Sequence, residues 1–311
     1  MKKSIQIFTI IAASFLTFAI FVSYSNNSSK EGRAYKTFSG EKGAGQGTPQ
    51  VVENLKLKKE YSFAGEGFPM NNFDVYERLE RELLVNTYWH SNTILNIKAS
   101  TRFFPLFEKI LKEEGVPDDF KYIAVAESNL RNVKSPAGAC GMWQFMQGNA
   151  EHYNMEISKD VDERYHVEKS TRAACALIKD LKKRFGSWTM AAAAYNFGET
   201  RLAKEIDVQR AKTYFDLNLN EETSRYLFRL IAIKELIENP MDFGYYLEKE
   251  DYYQPLDRYK VIEVDQSVEN LGDFAVEHGT TYRVLKIYNP WLRSSSLSNP
   301  SGKVYKIMVP K

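Results

Sequence analysis

Apolar residues recur with helical spacing over a long stretch of this chain, from about residue 70 to residue 245. The segments YERLERELLVNTYW and TRFFPLFEKILKEEG are amphipathic, and Gly115 ends the second of them. A glycine at this place is typical of a helix C-terminus, because it adopts the left-handed conformation without a steric penalty. Pro117 then begins the next helix. The pattern predicts an all-α domain, which we place at residues 66–245.

Further helical segments follow within this domain. VEKSTRAACALIKDLKKRFG ends at Gly186, SWTMAAAAYNFG is short and rich in alanine, and EETSRYLFRLIAIKELIENP stops before Pro240. Little of this sequence alternates with a period of two residues, so a β-sheet is not expected here.

The pattern changes after Pro255. YKVIEV at 259–264 indicates a strand, two short helices are expected to end at Gly279 and at Asn289, and KVYKIMVPK indicates a final strand. The fold class we predict is therefore mainly α, an all-α domain followed by a small βααβ domain at 259–311. The segment 246–258 is interpreted as the linker between them.

The N-terminus carries two lysines and then an apolar run over about residues 5–24. This pattern is typical of a signal peptide or of an N-terminal membrane anchor, and we assign residues 1–24 to one or the other. No cysteine follows the run, which argues against a lipoprotein. Residues 25–65 begin with a stretch rich in Ser, Asn, Gly and Lys and are predicted to be a flexible linker.

Composition excludes several function classes. A net charge of +2 without a basic stripe argues against nucleic-acid binding. The four histidines show no ligand spacing, so we expect neither a metal site nor a cofactor. The two cysteines, Cys140 and Cys175, have small neighbours. They either fill packing positions or form a disulfide in an exported protein.

One carboxylate stands out against its surroundings. Glu127 follows Tyr122, Ile123, Ala124, Val125 and Ala126 on a predicted helix, so it lies near a face that should enter the core. It could reach solvent at the helix end or pair with Arg131. Alternatively, its apolar neighbours desolvate it, in which case its pKa rises and it can act as a general acid.

Two later segments favour the second interpretation. SPAGACGMWQFM at 135–146 combines closely spaced glycines with apolar groups and one amide, which suits an N-acetylated sugar. Tyr195 and Asn196 stand where a helix is expected to break before Gly198. Each segment also has a purely structural explanation, namely a glycine-rich turn before a core helix and a helix C-cap.

The motifs AVAESNL, SPAGACGMWQFM, AAAAYNFGETRL and NEETSRYLFRLIAI, in this order, resemble the soluble-type lytic transglycosylases with a goose-lysozyme-like fold. The resemblance covers about residues 100–238. The sequence upstream of Glu127 and the C-terminal domain look most like the membrane-bound D-type branch of that family. The resemblance implies a lysozyme-like catalytic domain.

The resemblance also implies roles for particular residues. Glu127 would be the single catalytic acid and base. The other positions would contact or orient the sugar: Ser135, Met142, Gln144, Tyr195, Asn196 and Glu222. The implied reaction cleaves the MurNAc-β-1,4-GlcNAc bond of peptidoglycan without water and forms a 1,6-anhydro ring. A goose-type lysozyme that hydrolyses the bond, or a non-catalytic peptidoglycan-binding scaffold, remains an alternative.

The C-terminal segments YKV, LGDFAVEHGTTYRVLKIYNPWL and YKIMVP resemble a lysin motif, although the usual Gly-Asp-Thr before the first helix is replaced by VEN. The resemblance implies peptidoglycan glycan strands as the partner. We expect an exported monomer in the periplasm or cell envelope, with residues 5–24 as the candidate anchor.

Overall fold

A computed structural model describes residues 54–311. The predicted signal peptide or anchor at 1–24, and the linker as far as residue 53, lie outside the described residues. Within 54–311, no helix is both long enough and apolar enough to cross a membrane.

The helical part contains a short hairpin and eight helices among the described residues. They are β1 (Ser62–Phe63), β2 (Glu66–Gly67), α1 (Phe73–Tyr88), α2 (His90–Glu114), α3 (Lys121–Ser128), α4 (Gln147–His152), α5 (Val167–Phe185), α6 (Trp188–Phe197), α7 (Glu199–Gln209) and α8 (Glu221–Glu238). The C-terminal part consists of β3 (Tyr259–Val264), α9 (Leu271–Glu277), α10 (Tyr282–Tyr288) and β4 (Tyr305–Pro310). Helix α2 ends at Gly115 with φ 69° and α5 ends at Gly186 with φ 79°, as the sequence predicts.

The helical domain begins earlier than predicted. Tyr61 and Phe63 are buried in the main core, and the Phe63 ring packs edge-on against Phe120 with centroids 5.0 Å apart. The carboxylate of Glu66 accepts hydrogen bonds from the backbone N–H groups at the start of α6. The prediction that the flexible linker extends to residue 65 is therefore wrong, because its last residues form part of the packed domain.

Helix α8 runs through the main core, where Tyr226, Phe228 and Ile231 are almost fully buried. The alanines of α6, residues 191–194, are also buried. Their small side chains allow α6 to pack closely between α5 and α8. This packing brings the end of α6 and the first turns of α8 to the same region of the domain.

The C-terminal part has the predicted βααβ order. Strands β3 and β4 are antiparallel, with Tyr259 opposite Pro310 and Val264 opposite Tyr305. The segment predicted as a linker contacts the helical domain, since the backbone N–H of Tyr253 donates to the carbonyl of Lys98 at 3.1 Å. The C-terminal part is therefore attached to the helical domain along its entry segment.

The two cysteines are both free and buried. Cys175 lies in the main helical core, whereas Cys140 lies in a second cluster with residues of the C-terminal part. Of the two interpretations left open by the sequence, the packing role is the one that the structure supports.

Candidate active site

Glu127 lies in the last turn of α3, where the chain turns sharply. Asn129 and Leu130 both have positive φ, 53° and 55°, which is uncommon for residues other than glycine. The Asn129 side chain accepts a hydrogen bond from the amide of Asn96 on α2 at 3.0 Å. This turn ends the helix one residue after Glu127, whose side chain stays partly exposed although residues 121–125 of the helix are buried.

The surroundings of Glu127 favour its protonated form. Burial raises its pKa to about 7 from an ordinary value of 4.5. The hydroxyl of Tyr226 on α8 donates to its Oε1 atom at 2.7 Å and opposes this rise, because the bond stabilises the carboxylate. The charge of Glu222 raises the pKa further, whereas that of Arg229 lowers it.

Arg131, which was considered from the sequence as a partner of Glu127, bonds to the backbone instead. The guanidinium of Arg131 donates to the carbonyl of Ser128 at 3.4 Å, and among residues 54–311 it forms no ion pair with Glu127. A partly exposed carboxyl group with a pKa near neutrality, hydrogen-bonded by a neutral phenol, can donate a proton at neutral pH and take one back.

The glycine-rich loop is a tightly bonded hairpin-like turn. Cys140 and Phe145 exchange backbone hydrogen bonds in both directions at 3.0 Å. Gln144, inside this turn, has φ 49°, and its amide donates to the carbonyls of Gly141 at 2.7 Å and Val133 at 3.2 Å. A left-handed non-glycine residue held in this way is a form of backbone strain that often occurs at functional sites.

Two of the predicted sugar-contacting residues in this loop make structural contacts. The hydroxyl of Ser135 accepts from the backbone N–H of Ala139 at 3.0 Å and so closes the turn. Met142 is 3% exposed and packs in the main core, while its carbonyl accepts from the Ser128 hydroxyl at 2.9 Å. This last bond ties the loop to the residue that follows Glu127.

Tyr195 and Asn196 lie in the last turn of α6, as expected. The Tyr195 hydroxyl donates to the carbonyl of Trp143 in the glycine-rich loop at 2.7 Å. Burial and the neighbouring charge of Glu127 hold the pKa of Tyr195 well above its ordinary value, so the phenol stays neutral. The Asn196 side chain accepts from the Thr223 hydroxyl on α8 at 2.9 Å. Tyr195 therefore links α6 to the glycine-rich loop, and Asn196 links α6 to α8.

Glu222 lies in the first turn of α8 and forms a bidentate ion pair with Arg229, at 2.8 and 3.2 Å. This hydrogen-bonded cation lowers the pKa of Glu222. The negative charge of Glu222 raises the pKa of Glu127, so the two carboxyl groups lie near each other in the site. The pairing with Arg229 keeps Glu222 ionised.

Sequence reasoning missed three residues of this site. Tyr226 follows Glu222 by one helical turn, and Arg229 follows it by two turns, so that helical spacing alone could have placed them on one face. Glu82 on α1 is 1% exposed and accepts from the Nε atom of Arg225 at 2.6 Å. Its Oε2 atom lies 3.8 Å from Arg229, which links this buried carboxylate to the cation beside Glu222.

Groups of His, Cys, Asp or Glu that could hold a metal ion are absent from the described part of the chain.

Comparison with known protein families shows which domains the chain contains. Residues 104–218 match the family described as the Transglycosylase SLT domain. Residues 260–311 match the Soluble lytic transglycosylase C-terminal LysM-like domain. The chain carries an SLT transglycosylase domain followed by a LysM-like domain. The predicted family and the predicted mainly α, lysozyme-like fold with a C-terminal lysin-motif domain are thereby confirmed. Glu127 and the glycine-rich loop lie within the first match, while Glu222 and Tyr226 lie beyond its end.

A relative covers most of this SLT-domain chain. It is the membrane-bound lytic murein transglycosylase D of Escherichia coli strain K12, 28% identical over 261 residues. The match includes 81% of this chain but only 55% of that protein, so the chain spans about half the length of that relative.

Two solved structures show weaker likenesses. The 70 kDa soluble lytic transglycosylase of Escherichia coli is 17% identical with a TM-score of 0.41, covering 57% of this chain and 33% of that one. An inactive mutant of the lytic transglycosylase Slt from Pseudomonas aeruginosa is 16% identical with a TM-score of 0.38, covering 49% and 26%.

Proposed function

We propose that this SLT-domain protein is a peptidoglycan lytic transglycosylase in which Glu127 is the only catalytic acid and base. The observation that carries the proposal is the environment of Glu127, whose pKa is raised by burial to about 7 while it remains partly exposed. The SLT domain and the name of the Escherichia coli relative support the same activity.

In the proposed reaction, protonated Glu127 gives its proton to the glycosidic oxygen that joins MurNAc to the next GlcNAc. The positive charge that develops on the sugar is stabilised by the substrate's own acetamide. Ionised Glu127 then accepts the proton of the C6 hydroxyl, which closes the 1,6-anhydro ring. One residue acts first as acid and then as base, in keeping with the reversal of roles that general acid–base catalysis allows.

The contacts of Glu222 support a mechanism with one catalytic carboxyl group. Most glycoside hydrolases use two, the second attacking the sugar or activating water. Glu222 is the neighbouring carboxylate, but both of its oxygens are bonded to Arg229. We infer that Glu222 keeps the pKa of Glu127 high and orients the site.

Mass spectrometry of the products released from purified peptidoglycan tests the proposed function. We expect muropeptides with 1,6-anhydro-MurNAc ends. Products with reducing ends, heavier by one water, would identify a hydrolase of the goose-lysozyme type. Retention on peptidoglycan with no released product would identify a non-catalytic scaffold.

The substitution Glu127→Gln tests the assigned residue. It keeps the shape of the side chain but removes the proton donor, so product release should fall by about 10²–10⁴-fold, the usual contribution of general acid–base catalysis. The matched control is Glu77→Gln, at an exposed position on α1, which should leave the rate unchanged. Activity that survives Glu127→Gln would exclude the assignment.

We also infer that the other predicted sugar-contacting residues line the peptidoglycan site. Gln144 keeps its amide oxygen available, since its two described bonds use only the N–H₂ group. The LysM-like domain is proposed to bind glycan strands, and the protein to act as a monomer in the periplasm or cell envelope. Membrane attachment through residues 5–24 belongs to the same proposal, as does a boundary between the two domains at 246–258.

A further inference from the structure

The glycine-rich loop rests against a buried arginine, Arg164, which is not among the predicted site residues. Gly141 packs so closely on Arg164 that a Cβ atom at that glycine would lie 1.9 Å from the Arg164 carbonyl oxygen. The guanidinium of Arg164 donates to the carbonyls of Gly138 and Phe145, both at 3.3 Å. These two carbonyls flank the segment that contains Gln144. Arg164 therefore contacts the loop at its middle and on both sides.

Arg164 is itself held by a carboxylate two residues earlier. Its Nε and Nη2 atoms donate to the two oxygens of Asp162 at 2.9 and 2.7 Å. Both residues are buried, with 7% and 8% exposure. A bidentate pair of this kind fixes the plane of the guanidinium, and a buried one is costly to break because the remaining charge has no partner.

The segment that carries this pair is bound by the LysM-like domain. Val161 forms a β-bridge with Leu292, and the backbone N–H of Asp162 donates to the carbonyl of Trp291 at 2.9 Å. The backbone N–H of Arg293 donates to the carbonyl of Asp160 at 2.7 Å. The LysM-like domain thus holds the backbone of residues 160–162.

Side chains extend this contact on both sides of the pair. The guanidinium of Arg293 lies 4.0 Å from the centre of the Tyr165 ring. The hydroxyl of Tyr305 donates to the carboxylate of Glu156 at 2.9 Å, and Lys303 forms an ion pair with the same carboxylate.

One residue of the loop itself is buried with the LysM-like domain. Cys140 belongs to the same apolar cluster as Tyr165, Leu285 and Trp291. The apolar core of the LysM-like domain therefore extends into the catalytic half of the chain. A module attached only by a flexible linker would not share its core in this way.

We propose that Arg164 is a positioning residue for the glycine-rich loop, and that the LysM-like domain holds it there through Asp162. The loop supplies Gln144 and the Trp143 carbonyl to which Tyr195 is bonded. The LysM-like domain then has a part in the chemical step in addition to any glycan binding of its own. This inference rests on the proposed transglycosylase function for its kinetic consequence, but its structural consequence can be measured without activity.

The substitution Arg164→Lys in the full chain keeps the charge, but a single ammonium group cannot form the bidentate pair with Asp162 and reach the loop carbonyls at once. With soluble glycan strands from purified peptidoglycan as substrate, we expect kcat to fall about tenfold, as for the loss of one charge-assisted hydrogen bond. KM should stay within about twofold, since the loop would be displaced but the glycan-binding surfaces kept. The matched control is Arg210→Lys, in an Arg–Asp pair that is exposed, which should change neither constant.

Hydrogen exchange provides the second measurement. In the Arg164→Lys variant, the amides of Cys140 and Phe145 should exchange faster, while the amides in the middle of α8 should keep their protection. An unchanged kcat, a loss confined to KM, or a uniform loss of protection that explains the lower rate would each overturn the proposal. If the wild-type protein releases no anhydro product, the proposed function fails, and the exchange of the two loop amides still decides the positioning role.

Discussion

The C-terminal turn of α3 and the first turns of α8 each present a glutamate to the same site, and the two are treated in opposite ways. Glu127 on α3 has a neutral phenol as its hydrogen-bond partner, and its pKa is raised by burial to about 7. Glu222 on α8 is more exposed and has a bidentate guanidinium partner, which lowers its pKa.

This difference separates the chemical roles of two identical side chains. A carboxyl group that holds its proton near neutral pH can act as an acid, whereas a carboxylate that is paired with a cation cannot. The fold produces the difference by placing Tyr226 and Arg229 on the same face of α8, one facing each carboxyl group.

The largest expected effect is on stability, because Glu127 is desolvated by the fold. A carboxyl group with a raised pKa binds its proton more tightly in the folded state, so its contribution is fully present below pH 4.5 and is lost as the pH rises through about 7. The shift corresponds to about 3 kcal/mol at most. Urea unfolding of Glu127→Gln should therefore show a variant that is more stable than the wild type at pH 8, and the gain should vanish at pH 4. A gain that does not depend on pH would contradict this.

Removing the phenol of Tyr226 should have a smaller effect, and this effect is on the pH dependence of the rate. In Tyr226→Phe the carboxylate loses its hydrogen-bond donor, so the pKa of Glu127 should rise further. The alkaline limb of the pH–rate profile should then move to higher pH, by about one unit for a typical hydrogen bond. The matched control is Tyr122→Phe, which removes a similar bond to Glu238 and should leave the profile in place. An unchanged profile for Tyr226→Phe would exclude the contact as a determinant of the pKa.

The smallest effect is expected from Glu222→Gln. This change removes the negative charge that raises the pKa of Glu127, and it leaves Arg229, which lowers that pKa, without its bidentate partner. Both consequences move the alkaline limb to lower pH, by less than about one unit for partly exposed charges. The neighbouring Glu221→Gln is the control, since that side chain is 73% exposed and pairs with other arginines. A shift to higher pH would contradict the account.

Much of the fold could be predicted from the sequence because helix ends carry local signals. Gly115 and Gly186 end their helices as expected, and the strand at 259–264 has the predicted bounds. The hairpin at 62–67 was missed because its strands have two residues each, too few to show a period. The attachment of the LysM-like domain was also missed, since it depends on contacts between segments more than a hundred residues apart.

The site could be predicted in part. The apolar neighbours of Glu127 are local, and they made a desolvated acid one of the two interpretations of this residue. The bond from Tyr226 requires α3 to pack against α8, which no local pattern specifies. For the same reason, the sequence did not reveal that Met142 is buried in the core or that Asn196 is bonded to Thr223.

A direct titration of Glu127 tests the central claim most simply. The carboxyl carbons of the glutamates can be followed by ¹³C NMR from pH 3 to pH 9, and Glu127→Gln identifies the signal by its loss. We expect a midpoint near 7, the value to which burial raises the pKa of this group. A midpoint at or below the ordinary 4.5 would show that Glu127 is ionised at neutral pH and cannot be the proton donor.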